Sequence, residues 1–189
     1  MAGELAPEDR FGEAAIAADH TGAPNGIADV LQSLDETRDL YFSLRNLRKI
    51  LDGQPIDRRA QPYYFKRLRK RAAAEEAVAK KSVTVSSSLA FGVLQDRIDG
   101  EFFPARLPQA ALILIMTPRD GPARWDAKMR LGQRAPIGAS LHDLRIGCFD
   151  PAFGSRWNAG SNTRNGGTSI DPQDYAARVA QEMREVWGI

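Results

Sequence analysis

Residues 110–117 read AALILIMT, an almost wholly apolar segment that lies between Pro108 and Pro118. The segment has the length of a strand, and it is much shorter than the roughly 18 apolar residues needed to cross a bilayer. A short apolar run bounded in this way is typical of a strand that is buried on both faces. We therefore predict a buried strand here, with a sheet built around it.

Three further segments have the pattern of strands. Residues 82–86, SVTVS, alternate polar and β-branched side chains, and residues 128–134, KMRLGQR, form another candidate strand. Residues 141–149, LHDLRIGCF, are predicted as a strand that carries His142 and Cys148 on the same face. Together with the apolar run, these segments predict a small mixed sheet.

The segment that follows the first of these strands has two interpretations. Residues 87–100, SSLAFGVLQDRIDG, favour a short helix, because a serine can cap its start and Gly100 can end it. The capping residue would be Ser87 or Ser88. A strand over residues 89–94 is the alternative, since these residues are mostly apolar.

Before these strands, apolar periodicity predicts two helices. Apolar side chains recur at intervals of three and four over residues 27–51 and again over residues 61–81. The connection between them is short, which favours an antiparallel helical hairpin over residues 26–81. Residues 1–25 are rich in alanine, glycine and acids, and are predicted to be a disordered acidic tail with at most a short helix.

The last segment of the sequence is predicted to be helical. Asp171 suits a helix cap, Pro172 suits the first turn, and apolar residues then recur at helical spacing. Residues 82–189 thus form an α+β domain after the hairpin. The predicted fold class is α+β, with an N-terminal helical hairpin followed by a small mixed β-sheet and a C-terminal helix.

Charge is distributed unevenly along the chain, although the formal net charge is only +2. Residues 1–44 contain nine acids and two arginines and carry a net −7. Residues 45–81 contain twelve lysines and arginines and four acids and carry a net +8. This separation points to anionic partners, and it is equally compatible with the acidic head folding back onto the basic segment.

The densest positive stretch is residues 63–71, YYFKRLRKR, on the second predicted helix. Its cations would attract phosphates by releasing counterions, and its aromatic residues suit stacking on bases or insertion at a membrane surface. A solvated helix face is one alternative, and pairing with residues 1–44, within the chain or between copies, is another. The residues predicted to bind a polyanion are Lys66, Arg67, Arg69, Lys70 and Arg71, with Tyr63 and Tyr64 as stacking groups.

These observations predict a non-enzymatic interaction protein that binds nucleic acid or an acidic protein surface through its basic helix. The apolar stripe of the hairpin also suits self-association as a homo-oligomer. The N-terminus lacks the pattern of a secretory signal and the single cysteine cannot form an internal disulfide. A cytoplasmic location is therefore expected, with export that reads no cleavable signal left open.

One stretch invites a catalytic interpretation instead. Residues 141–154, LHDLRIGCFDPAFG, contain the single cysteine, Cys148, and one of the two histidines, His142. Six residues of a strand would separate the two by roughly 20 Å, far beyond the reach of a nucleophile and its base. The strand therefore favours Cys148 as a small buried hydrophobic residue.

The motif CFDPAFG, residues 148–154, resembles the aspartate motif of YopT-like cysteine peptidases, which are papain-like bacterial effectors. The resemblance implies a hydrolase, or an inactive relative of one, in which Asp150 orients a histidine. The chain departs from the family at Ala152, where the motif has asparagine, and it has no upstream cysteine. A serine among residues 86–88 would then have to replace the nucleophile. The alternative catalytic residues are His142, Cys148 and Asp150.

Other chemistries lack the residues that they need. Two histidines and one widely spaced cysteine do not form the usual zinc patterns, and neither a P-loop nor a dinucleotide glycine motif occurs, so no metal and no cofactor are predicted. The loop over residues 164–169, RNGGTS, can present backbone amides to an anion beside Arg156 and Arg164. A plain flexible loop is the interpretation that its composition favours.

Overall fold

The computed structural model describes residues 7–119 and 124–189. Within these residues, helices precede a sheet and one helix follows it, which confirms the α+β prediction. The helices are α1 (Pro7–Ile16), α2 (Gly26–Leu34), α3 (Leu40–Leu51), α4 (Gln61–Ala79) and α5 (Pro172–Trp187). The strands are β1 (Val83–Ser86), β2 (Leu89–Val93), β3 (Leu112–Arg119), β4 (Arg124–Leu131), β5 (Gly154–Ser155) and β6 (Ala159–Ser161).

The strands form one mixed sheet in the order β1-β2-β3-β4-β6-β5. Neighbouring strands are antiparallel except for β2 and β3, which are parallel. The central strand β3 contains most of the apolar run, and its residues 112–117 are buried. The prediction of a buried strand is therefore confirmed, and this strand separates two cores.

The helices cover the two faces of the sheet unequally. On one face, α5 packs against β3 and β4 through Tyr175, Val179 and Met183. On the other face, α4 and the 3-10 turn Gly100–Phe102 pack over β1, β2 and β3. The helix α5 begins at Pro172 after the Asp171 cap, as the sequence predicts. The β4–β6 part of the second face lies beside this helical cover.

The N-terminal helices differ from the predicted hairpin. The helix predicted over residues 27–51 is divided into α2 and α3, because Asp35–Thr37 is a 3-10 turn and Arg38 has a left-handed conformation. Asp39 then caps α3 by accepting a hydrogen bond from the amide of Phe42. The apolar stripe continues across this break, so periodicity did not locate it. The second predicted helix corresponds to α4.

The segment predicted to be a disordered acidic tail contains the helix α1 and the turn Ala17–Thr21. Its first six residues lie outside the described residues. Gly22 follows the turn Ala17–Thr21 and has a φ of 65°. A Cβ on Gly22 would lie 1.8 Å from the carbonyl oxygen of Glu101. Glycine is therefore required where the N-terminal segment approaches the turn Gly100–Phe102.

Two local predictions are wrong. Residues 89–93 form the strand β2 rather than a helix, because Ser87 and Ser88 have positive φ and make the turn of the β1–β2 hairpin. The alternative of a strand in this segment is thus confirmed. Residues 141–149 form turns rather than a strand. Their apolar side chains at uneven spacing anchor the segment to the core of α5, namely Leu141, Leu144 and Ile146.

Part of the apolar stripe of the helical region is exposed. Leu40, Tyr41 and Leu44 of α3 are each about half exposed or more. Self-association through this face stays a prediction. None of the helices in the described ranges is long and apolar enough to cross a membrane.

Candidate functional site

A cleft of about 710 Å³ lies on the face of the sheet that α4 only partly covers, and we refer to it as the basic cleft. Strands β3, β4 and β6 line it, and the turn Gly100–Phe102 contributes to its wall. Its volume is within the usual range of ligand sites. The polar side chains that line it are Lys128, Arg130, Arg156, Arg164, Ser155, Ser161, Asn165 and Glu101.

The strand β4 supplies two cations to the cleft because its side chains alternate between the two faces of the sheet. Ala127 and Met129 belong to the core beneath α5. Lys128 and Arg130, which alternate with these two residues along the strand, therefore belong to the opposite face. The register places Lys128 beside Ser161 of β6, so a cation and a hydroxyl group are neighbours in the cleft.

Arg130 is the most buried of the cleft cations, with 9% exposure. Its Nη2 donates to the carbonyl oxygen of Asp19 at a distance of 2.6 Å, whereas its Nε has no hydrogen-bond partner among the described residues. Burial lowers the pKa of Arg130, and the carboxylate of Glu101 opposes this effect. A guanidinium nevertheless stays protonated at neutral pH. The cleft thus contains a desolvated positive charge with unused hydrogen-bonding capacity.

Two exposed arginines, Arg156 and Arg164, line the same cleft. The sequence indicated both as neighbours of a candidate anion-binding loop, and the structure brings both to one cavity. The loop over residues 164–169 is held in place, since Thr168 exchanges two backbone hydrogen bonds with Trp125. The interpretation of this segment as a plain flexible loop stays a prediction.

Asp150 anchors the segment that carries these arginines. Its Oδ2 accepts hydrogen bonds from the Asn162 amide at 2.9 Å and from the Tyr175 hydroxyl at 2.8 Å. The Oδ1 of Asn162 in turn accepts from the amide of Ala127 in β4 at 2.7 Å. Burial first, and then the charge of Asp150, raises the pKa of Tyr175, so that its hydroxyl remains a donor. Asp150 therefore connects β4, the cleft loop and α5.

The alternative catalytic residues have separate partners in the structure. Asp150 bonds to Asn162 and Tyr175, while the Nε2 of His142 lies 3.0 Å from the carbonyl oxygen of Ser155. Cys148 is exposed at the end of a short 3-10 turn. The prediction that Cys148 is buried is wrong, because it assumed a strand that does not form. The resemblance of residues 148–154 to the aspartate motif of YopT-like peptidases stays a prediction.

The basic helix α4 is neutralised by the protein's own carboxylates. Arg67 and Arg71 are buried and both donate to Asp29 of α2. The Nη1 of Arg67 also donates to Glu101 at 2.9 Å. Both guanidinium groups lie over the ring of Phe102, at 4.8 and 5.2 Å from its centroid. These two arginines are part of the interior rather than a binding surface.

Most of the other residues of the predicted polyanion site are also engaged within the chain, and Arg69 is the exception among the described contacts. Tyr63 and Tyr64 pack against the core cluster of α2 and α3, and Arg69 is exposed. Pairing of the helix with residues 1–44, one of the alternatives drawn from the sequence, matches the contacts with Asp29 and Glu36, whereas Asp99 and Glu101 lie outside that segment. The exposed ion pairs are Lys66 with Glu36 at 2.8 Å and Lys70 with Asp99 at 2.9 Å.

The sequence analysis missed the floor of the cleft. Lys128 and Arg130 were assigned to a candidate strand, and their spacing of two residues in that strand was the available signal for a shared face. Ser161 gave no comparable signal. In the described ranges, no group of three or more histidine, cysteine, aspartate or glutamate residues is placed to hold a metal ion.

A comparison with solved structures finds a similar fold, whereas the sequence comparisons find no match. No protein-family model and no curated protein matches the sequence. The fold is similar to that of the solved structure of PggH, a pGpG-specific phosphodiesterase from Vibrio cholerae, with a TM-score of 0.51 and 14% sequence identity. The match covers 92% of this chain and 66% of that enzyme, so the chain spans less than two thirds of its length.

The prediction of a non-enzymatic protein that binds a polyanion through its basic helix is wrong. A solved structure with a similar fold is that of an enzyme. In addition, the two central arginines of the helix are buried against Asp29. Cations of α4 line a separate cavity, but Glu76, Asp96 and Asp99 line it with them. In the basic cleft, the cations of β4 and of the loops around β5 and β6 have one carboxylate beside them among the described residues, Glu101.

Proposed function

We propose that this chain is a phosphodiesterase that binds a short phosphorylated nucleotide in the basic cleft. The observation that carries the proposal is the convergence of four cations on one cavity, within a fold similar to that of a phosphodiesterase. The similarity itself concerns the fold, so the assignment of substrate and site depends on the chemistry of the cleft. The four cations are Lys128, Arg130, Arg156 and Arg164.

The charge balance of the cleft suits phosphate groups. Among the described residues that line it, Glu101 is the only carboxylate. The Oε1 of Glu101 is bound by Arg67 at 2.9 Å, so its charge is partly compensated from behind. A linear dinucleotide such as pGpG carries a terminal phosphate and a phosphodiester, and arginines bind such groups through paired N–H donors.

The cleft cations differ in the role that they would have. Arg130 is buried, so its attraction to an anion is weakened less by water than that of an exposed group. Hydrolysis of a phosphodiester forms a bond from the oxygen of water to phosphorus and breaks the bond from phosphorus to the leaving oxygen, which takes up a proton from the water. The added negative charge on the phosphoryl oxygens would be stabilised by Arg130 and Lys128. Arg156 and Arg164 are exposed and would capture and orient the substrate.

A direct test measures binding of pGpG by calorimetry and release of GMP by chromatography, in buffer that contains Mg²⁺ or Mn²⁺. The double variant Arg156→Gln/Arg164→Gln is compared with the double variant Arg48→Gln/Arg69→Gln. Both remove two positive charges from exposed positions, but only the first removes them from the cleft.

We expect the cleft variant to weaken pGpG binding by about 10-fold or more, because each lost bond to a charged group is worth about 1.5 kcal/mol. The control variant should bind within about twofold of the original chain. Equal weakening by both variants would show that net charge, not the cleft, attracts the ligand. Binding without any release of GMP would overturn the assignment as a phosphodiesterase.

A further inference from the structure

A second cavity, of about 340 Å³, adjoins the basic cleft, and we refer to it as the aromatic cavity. Arg130 lines both cavities, so they meet at the most buried cation of the site. The aromatic cavity is also lined by His20 and Trp157. Trp157 directly follows Arg156, which lines the basic cleft. The two cavities therefore lie next to each other, with Arg130 between a basic cavity and an aromatic one.

The aromatic pair leaves a large ring surface exposed. The ring centroids of His20 and Trp157 are 5.2 Å apart and the rings are tilted by 52°. Trp157 remains 47% exposed although it lies beside a cavity. An exposed aromatic ring at this position offers a face on which a nucleobase can stack, and such stacking is worth about 1–3 kcal/mol per base.

The wall between the two cavities is held by hydrogen bonds within the chain. Asn158 is 5% exposed, and its Nδ2 donates to the carbonyl oxygen of Asp19 at 3.1 Å. The same carbonyl oxygen accepts from the Nη2 of Arg130 at 2.6 Å. Asp19 therefore fixes both Arg130 and the residue that follows Trp157.

We propose that the aromatic cavity binds a base of the nucleotide whose phosphate lies at Arg130. This inference rests on the proposed function, and it adds the part of the substrate that the second cavity recognises. In a nucleotide a sugar connects the base to the phosphate, so a base in the aromatic cavity and a phosphate in the basic cleft would lie on the two sides of Arg130. The base stacks on the exposed ring of Trp157.

The test compares two probes: pGpG, and an abasic dinucleotide with the same phosphates. The variants are Trp157→Ala, which removes the ring, and Trp157→Phe, which keeps an aromatic face. We expect Trp157→Ala to weaken pGpG binding by about 10-fold and to leave binding of the abasic probe within about twofold. Trp157→Phe should recover most of the affinity. Thermal unfolding checks that each variant is folded.

The two proposals fail in different ways. If the original chain binds neither probe, the proposed function is wrong. If it binds pGpG, loses that binding in the Arg156→Gln/Arg164→Gln variant and keeps it in Trp157→Ala, the phosphate site stands and the base site is wrong. Equal weakening of both probes by Trp157→Ala would also overturn the base site, because the ring would then be acting on the phosphates.

Discussion

Two groups of arginines in this protein carry the same charge but differ in burial and in their partners. Arg67 and Arg71 of α4 are buried against Asp29 and are 8% and 6% exposed. Arg156 and Arg164 are exposed and line the basic cleft. The first group stabilises the packing of α4 on α2, whereas the second group remains accessible to a ligand.

The difference shows that charge density along a sequence does not locate the accessible charge. Asp29 precedes its two arginine partners by 38 and 42 residues, so no local pattern reveals the pairing. By contrast, residues 151–170 contain two arginines and no acidic residue. A cationic segment without nearby acids, in a glycine- and serine-rich loop, proved the better indicator of accessible positive charge.

The largest loss of stability is expected when the carboxylate shared by the two buried arginines is removed. Asp29→Asn leaves Arg67 and Arg71 charged in the interior without their common carboxylate. Loss of one partner of a buried ion pair costs about 3–5 kcal/mol, and we expect a decrease of that size in the free energy of unfolding. Urea denaturation followed by circular dichroism measures it.

The control for this variant is Glu36→Gln, which also removes a carboxylate from an α4 cation but at an exposed position. Asp29→Asn should destabilise the protein several times more than this control. If the two variants have similar small effects, then the arginines of α4 can reach solvent, and the contrast between the two groups does not hold.

Much of the fold was predictable because it depends on local signals. The apolar run over residues 110–117 identified β3, and the Asp171–Pro172 pair located the start of α5. The β1–β2 hairpin was not recognised, because Ser87 and Ser88 suit both a helix cap and a turn. Their positive φ angles, which decide between the two, belong to the turn of the β1–β2 hairpin. The strand β2 also pairs with β3, a contact that the local sequence does not show.

The candidate site was predictable only in part. Arg156 and Arg164 were indicated by their loop, whereas Lys128 and Arg130 become neighbours of that loop through strand pairing. Asp150 was noticed for a motif that implies a catalytic role, and the structure gives it a positioning role. Its partners Asn162 and Tyr175 lie 12 and 25 residues away, which the motif alone does not show.

A smaller effect is expected where the cleft loop is anchored. Tyr175→Phe removes the hydroxyl that donates to Asp150 and keeps the ring in the core. A hydrogen bond to a charged group contributes about 1.5–3 kcal/mol, and we expect a loss within that range by urea denaturation. Tyr41→Phe, at a residue that is 87% exposed, is the matched control and should change stability by less than about 0.5 kcal/mol.

The same variant has a signature at alkaline pH. Because burial raises the pKa of Tyr175 above its ordinary value of 10.0, the unfolded chain releases this proton at lower pH than the folded chain. The original protein should therefore lose stability as the pH rises above 10, and Tyr175→Phe should lose less over the same range. Identical slopes for the two proteins would mean that the pKa of Tyr175 is not raised, which contradicts the burial of its hydroxyl beside Asp150.

The smallest effect is expected at the exposed end of α4, where Lys66 pairs with Glu36. The hydrogen bond from Lys66 is the main cause that lowers the pKa of Glu36 below its ordinary value of 4.5. A carboxylate with a lowered pKa stabilises the folded state above the unfolded pKa, and this stabilisation is lost as the pH falls below 4.5. Glu36→Gln should therefore cost less than about 1 kcal/mol at pH 7. The difference from the original protein should shrink as denaturation is measured at pH values further below 4.5, since Glu36 is protonated there and becomes neutral as glutamine is. If Glu36→Gln still lowers the free energy of unfolding at pH 3, the substitution disturbs packing rather than an ion pair. The contrast between α4 and the cleft would then not depend on ion pairs alone.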